Sequence, residues 1–261
     1  MDLLLSLQSA DELWTAAEFP FRWLDLKNPS AGSLGCPSSK VACDFLDTAD
    51  ELSNRRLLTL SVAIGELTEG ISEFDSDRPP NHFSMPIAAD TINRFDFVKV
   101  ALAKTHPSCL RTDQKQVVEG EAWIELATSL SGQLSSPSKL ILVHYADHHL
   151  AGSVEWERVL WASHLLGCEY ILIDTFNKTA GSLADWLSTE DCQRYASQAD
   201  VHGLKLSLAG SLRLEDLLRL EKTGASIIGI RGAACRDASR TSSLCRDRLQ
   251  ALSKCFDVVD Y

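Results

Sequence analysis

The chain has no Cys-x-x-Cys pair, no excess of basic charge, no long apolar run and no low-complexity tract. Each absence removes a class of function. Its eight cysteines, at 36, 43, 109, 168, 192, 235, 245 and 255, form no metal-type Cys/His grouping, so no metal site is expected and the thiols read as reduced. A formal charge of -11 argues against a nucleic-acid partner, because phosphate backbones are bound by net basic surfaces. The acidic residues are spread along the chain and read as solubility rather than as an interaction tail. The apolar start, Leu3-Leu4-Leu5, is too short for a signal core or a membrane span and lacks a basic flank, so the expectation is a cytoplasmic protein with no membrane partner. No repeat or linker splits the 261 residues, a length that suits a single domain.

What is present is an alternation of short apolar runs with longer amphipathic segments, the pattern of βα units. Eight runs read as strands: 2–7, 21–27, 57–63, 95–101, 139–145, 169–174, 203–209 and 226–231. Helix-like stretches lie at 9–18, 114–132, 150–166, 182–198, 213–222 and 240–254. Eight strands, each followed by a helix or loop, predict a closed (β/α)8 TIM barrel, with an open doubly wound sheet as the runner-up. The stretch 66–94, rich in Glu, Asp, Pro and Asn, reads as a long loop or short insertion. Following a strand, it would lie on the catalytic face, either as a lid or as a solvated loop.

Charged residues gather at the strand ends. Alternation in the second strand puts Trp23, Asp25 and Lys27 on one face and Leu24 and Leu26 on the other. The leucine face would pack on helices, leaving Asp25 and Lys27 inside the barrel. A buried lysine must be paired or neutral, so Asp25 is expected to hold Lys27 as a cation at rest, either as a structural ion pair or as part of a nucleophilic site. The fourth strand places Lys99 inward as well, and repulsion between two ammonium groups would draw at least one pKa towards neutrality. The sixth strand ends in Asp174, with Lys178 four residues on; the pair could orient substrate, shuttle protons or form a surface salt bridge. His144, His148 and His149 lie close together but have no partner at ligand spacing, so a metal reading is not supported.

The last two strands run into Ala209-Gly210-Ser211 and Arg231-Gly232-Ala233-Ala234. In (β/α)8 barrels the loops after strands seven and eight often bind phosphate through backbone N–H groups. Gly210, Gly232 and Ala233 would offer backbone, Ser211 a hydroxyl, and Arg231 a charged fork. A phosphorylated small-molecule substrate is therefore expected.

The stretches DLKNPSAGSLG (25–35), FVKVALA (97–103), ILIDTFNK (171–178), GLKLSLAGSL (203–212) and IIGIRGAAC (227–235) together resemble the (5-formylfuran-3-yl)methyl phosphate synthase family of methanofuran biosynthesis. The resemblance implies a barrel lyase, a carbon–oxygen lyase acting on phosphates. Such an enzyme condenses two glyceraldehyde 3-phosphate molecules into a furan aldehyde phosphate, with loss of one phosphate and water and no cofactor. It also implies Lys27 as the Schiff-base lysine, Lys99 as the proton-transfer residue, and Asp25, Asp174 and Lys178 as supporting residues. Two phosphates need two anion sites; Asn28, Ser30 and Ser33 are candidates for the second. The sequence departs from the family pattern at 66–94 and in the Asp237–Ser243 loop. The tail Phe256 to Tyr261 reads as an extension that could pack at a subunit contact of a homo-oligomer. Two other readings stay open: a Schiff-base aldolase for a different sugar phosphate, and a non-catalytic phosphosugar-binding barrel.

Overall fold

The computed structural model describes residues 1–70, 83–105, 122–135 and 139–255. Its strands are β1 (Asp2–Leu7), β2 (Trp23–Leu26), β3 (Thr59–Glu66), β4 (Phe97–Ala101), β5 (Lys139–Tyr145), β6 (Tyr170–Asp174), β7 (Lys205–Leu208) and β8 (Ile227–Ile230). They pair in parallel in chain order, and β1 closes on β8 in the register Asp2↔Ile227 to Leu5↔Ile230. The expected closed (β/α)8 barrel is the observed one, and the open sheet is set aside.

The alternation that marked the strands explains the two cores. Outward residues such as Leu5, Leu24, Leu26, Val98, Val100, Ile171, Ile173 and Ile228 are buried against the surrounding helices. Inward residues fill the barrel. Towards the amino ends of the strands, Trp23 stacks on Phe97 at 5.6 Å between ring centres, and Tyr170 meets both edge-on. These rings plug one end of the barrel. Polar inward residues sit beyond them, towards the carboxyl ends.

Several helix bounds differ from expectation, for local reasons. The stretch Ser39–Glu51, absent from those named above, is a helix capped by the Ser38 hydroxyl, and it buries Ala42, Phe45, Leu46 and Ala49 on one face. The expected helix at 150–166 is two, His148–Ala151 and Trp156–Leu165, broken at Gly152 in the left-handed region. The stretch 182–198 also divides, into Leu183–Trp186 and Thr189–Val201, because Ser182 with Asp185 and Ser188 with Asp191 each form a capping box that starts a new helix. The final helix begins at Arg246 rather than 240, and the preceding residues form a loop rooted by a Cys235↔Leu244 bridge. Of the expected helix at 114–132, the described part is Ala122–Gln133. The tail 256–261 lies outside the described residues, and no helix among them is long and apolar enough to cross a membrane.

Candidate active site

At the carboxyl ends of the strands lies a cavity of about 530 Å³, lined by residues of several strands and of the loops that follow them. The expected residues Asp25, Lys27, Lys99, Asp174, Lys178, Gly210, Ser211, Arg231, Gly232 and Ala233 all line it. Seven basic side chains border it (Lys27, Lys99, Lys178, Arg213, Arg231, Arg240, Arg248) against three carboxylates, Asp25, Asp174 and Glu215. On a chain of net charge -11, this local excess of basic over acidic side chains favours negative charge in the cavity.

The pairing inside differs from expectation. Asp25, 1% exposed, accepts hydrogen bonds from Ser61 Oγ at 2.8 Å and Ser6 Oγ at 3.2 Å, and its ion pair is with Lys99 rather than Lys27. Closure of the barrel brings β4 close enough to β2 for Lys99 to reach it, and the two serines fix the carboxylate from the strands on either side. Lys178 pairs with Asp174, whose Oδ1 also accepts the Thr175 N–H at 2.7 Å. Ser33 Oγ approaches Asp174 Oδ2 at 3.3 Å and donates to the Thr175 carbonyl at 2.8 Å.

Both carboxylates are thus occupied, and the Lys27 amine makes no ion pair or hydrogen bond among the described residues. Lys27 follows β2 directly, and its backbone N–H still bonds the Leu7 carbonyl at 2.9 Å, which fixes its place at the barrel mouth. Burial pulls its pKa down to about 7; Asp174 and Asp25 oppose the fall, and Lys178 and Lys99 add to it. The expected depression therefore falls on Lys27, with burial rather than repulsion as the main cause. Burial disfavours ionisation of Asp174, but the charges of Lys178 and Lys27 outweigh it and hold the carboxyl below its usual range. Burial lowers Lys178 as well, against the pull of Asp174. An amine half-neutral at pH 7, between two anchored ammonium–carboxylate pairs, is equipped to attack a carbonyl and to pass protons nearby.

The phosphate residues divide. Among the described residues, the backbone N–H groups of Gly210, Ser211, Gly232 and Ala233 have no hydrogen-bond partner, as an anion cradle requires. Gly210 adopts φ +124°, and a side chain there would meet Thr175 atoms at 2.9 to 3.1 Å. Arg231 also lines the cavity, but its fork is engaged by the protein. It is 6% exposed, and all five of its N–H donors are taken: two by the Glu12 carboxylate and one each by the carbonyls of Ser6, Arg240 and Ser242. The charged fork predicted for phosphate instead ties the barrel to the following loop.

Asn28, Ser30 and Ser33 do not line the cavity. Asn28 Oδ1 accepts the Ser30 N–H in a local turn, and Ser33 supports Asp174. None of the described residues between 66 and 94 lines it either. Ser84 N–H bonds the Gly70 carbonyl and the buried Phe83 ring packs against Gly70; 71–82 lie outside the described residues. His144 points outward onto Trp156, and no group of three His, Cys, Asp or Glu among the described residues is arranged to hold a metal.

Sequence reasoning missed Asp147 and Arg240. Asp147 is fully buried, and its carboxylate accepts the N–H groups of Phe176 at 2.6 Å and Asn177 at 2.9 Å, clamping the loop that carries Lys178. An acidic residue just past a strand end was the available signal. Arg240 reaches the cavity from the loop after β8.

The model of the 4-HFC-P synthase family matches residues 3–253. The chain belongs to that family. Curated relatives carry the name (5-formylfuran-3-yl)methyl phosphate synthase. The relative from Methanothermobacter thermautotrophicus is 29% identical over 98% of this chain and 99% of its own. The one from Methanopyrus kandleri is 28% identical over 95% and 94%. Solved structures similar to the family member described here share the barrel fold at low identity. They include a phosphoribosyl anthranilate isomerase from Thermus thermophilus (TM-score 0.56, 10% identity, all of both chains) and a deoxyribose phosphate aldolase from Aeropyrum pernix (TM-score 0.54, 14% identity, 96% of this chain and 90% of that one).

Proposed function

We propose that this protein condenses two molecules of glyceraldehyde 3-phosphate into (5-formylfuran-3-yl)methyl phosphate, releasing one phosphate and water, through a Schiff base on Lys27. The observation that carries this reading is the Lys27 amine itself: unpaired among the described residues, with a pKa near 7, in a cavity rich in positive charge. The neutral amine adds to the aldehyde, and loss of water gives an iminium that acidifies the adjacent C–H. The Lys99–Asp25 pair lies beside it and moves that proton, giving an enamine. The enamine expels a phosphate leaving group or attacks the second aldehyde. The Asp174–Lys178 pair serves the later proton transfers of ring closure and dehydration. The overall conversion is redox-neutral. The free N–H groups of Gly210, Ser211, Gly232 and Ala233 suit a substrate phosphate.

The test is incubation with glyceraldehyde 3-phosphate alone. A conjugated furan chromophore should appear, and borohydride should trap an adduct that mass mapping places on Lys27. Trapping without a chromophore, together with cleavage of another phosphosugar, would indicate an aldolase. The absence of any adduct would leave a phosphosugar-binding barrel. Lys27→Met leaves both ion pairs in place and forms no imine, so it should stay folded and make no product.

A further inference from the structure

With Arg231 saturated by protein groups, the cavity has another arginine whose donors are not. Arg240 extends from the loop after β8 across to the loop after β2, where Nη2 donates to the Gly32 carbonyl at 2.7 Å and, at 3.4 Å, to that of Ser33. Its Nε and Nη1 make no hydrogen bond, and it has no ion-pair partner, among the described residues. The guanidinium borders the cavity close enough to Asp174 and Lys178 to feel both charges. A partly buried cation held only by neutral carbonyls has its strongest acceptor still to come.

The loop is built to present this side chain. Asp237 and Ala238 both stand at φ +54°, a left-handed conformation that is strained for residues other than glycine. The Ala238 carbonyl packs so close over Gly232 that a side chain there would meet it at 3.0 Å. From beneath, Arg231 donates to the Arg240 and Ser242 carbonyls at 2.9 Å each. The rigid support of one arginine thus aims the other. We propose that Arg240 is the guanidinium that seats a substrate phosphate, exchanging the Gly32 and Ser33 carbonyls for the phosphomonoester oxygens. This rests on the reading above only in taking a phosphorylated triose as the ligand.

Glycerol 3-phosphate carries the phosphate and no carbonyl, so its binding is independent of imine chemistry. Calorimetric titration should show binding to the wild-type protein. Arg240→Gln should weaken it by on the order of tenfold to a hundredfold, the range for losing one charge-assisted contact. Arg240→Lys should recover part of the loss, and glycerol should bind to none of the three. Equal affinity of Arg240→Gln and wild type, or no binding to wild type, overturns the proposal. So would a loss of affinity matched by a lowered melting temperature and not relieved in Arg240→Lys. If borohydride traps nothing on wild-type Lys27 while glycerol 3-phosphate affinity still depends on Arg240, the Schiff-base reading fails and this one stands. Normal trapping with affinity indifferent to Arg240 gives the converse.

Discussion

Arg231 Nε donates to the Arg240 carbonyl at 2.9 Å, so the arginine at the end of β8 holds the loop whose own arginine faces the cavity. The same guanidinium grips Glu12 with two donors, one of them at 3.0 Å, and Glu12 is itself buried on the helix Ala10–Ala16. Removing one partner of a buried pair leaves the other charge uncompensated. Arg231→Met should therefore lower unfolding stability by about 3–5 kcal/mol with no ligand present. In Arg231→Met/Glu12→Gln part of that loss should return, because the orphaned carboxylate is gone. Urea unfolding of the two single variants and the double variant measures the coupling. Additive losses would mean that the pair is not a unit. A loss seen only in phosphate affinity would restore Arg231 as a substrate ligand.

Imine formation needs the neutral Lys27 amine, so its rate should rise with pH through an apparent pKa near 7. Lys178→Met removes a like charge that lowers the Lys27 pKa, and it frees Asp174 from its ion pair to favour the Lys27 cation. Both changes stabilise the ammonium form, so the acid limb should move to higher pH. Borohydride trapping rates measured from pH 5 to 10 in the two proteins check the shift. A limb that stays in place, or moves to lower pH, would show that the Lys178–Asp174 pair does not tune Lys27.

The strands and the residues at their ends were legible because alternation is a local signal. Leu24 and Leu26 must face the helices, so Asp25 and Lys27 face the interior whatever the remaining chain does. Which carboxylate meets which lysine was not legible. Lys99 reaches Asp25 only because barrel closure and strand tilt bring β4 across to β2, and no two-residue spacing encodes that. Arg231 shows the same limit. Its position at a strand end suggested phosphate, but the groups that take its donors come from β1, the first helix and a loop around 240. The helix Ser39–Glu51 is different: its apolar residues 42, 45, 46 and 49 have helical spacing, and the cap at Ser38 was there to be read. Arg240 lies in a loop without periodicity, where nothing in the sequence separates it from Arg231 and Arg236, which also follow β8.

The depressed pKa of Lys27 also has a consequence for stability. The folded protein binds its proton with a pKa near 7, against an ordinary value of 10.5. Between those values the unfolded chain holds more protons, so this group makes stability rise with pH from about 7 to about 10 and is most unfavourable below that window. Lys27→Met leaves both ion pairs intact and removes the buried amine. It should melt higher than wild type at pH 6 to 7, by roughly 2–4 °C for each kcal/mol gained, while losing activity. The advantage should shrink towards pH 10. An equal or lower melting temperature at pH 6 would mean that Lys27 is not held at a cost to folding.

Asp147 touches none of the cavity, yet it fixes the loop that delivers Lys178. Its two oxygens receive two backbone N–H groups, from Phe176 and Asn177, in a site with no exposed surface. Asp147→Asn keeps the volume but has one acceptor oxygen, so one N–H must face an amide nitrogen. The expected loss of stability is about 1–3 kcal/mol, the cost of a buried donor without a partner. A merely structural role would stop there. If Asp147 acts by positioning Lys178, the variant should also move the acid limb of Lys27 trapping upward, in the direction of Lys178→Met and by a smaller amount. Folded Asp147→Asn protein with an unshifted limb would limit Asp147 to holding the fold.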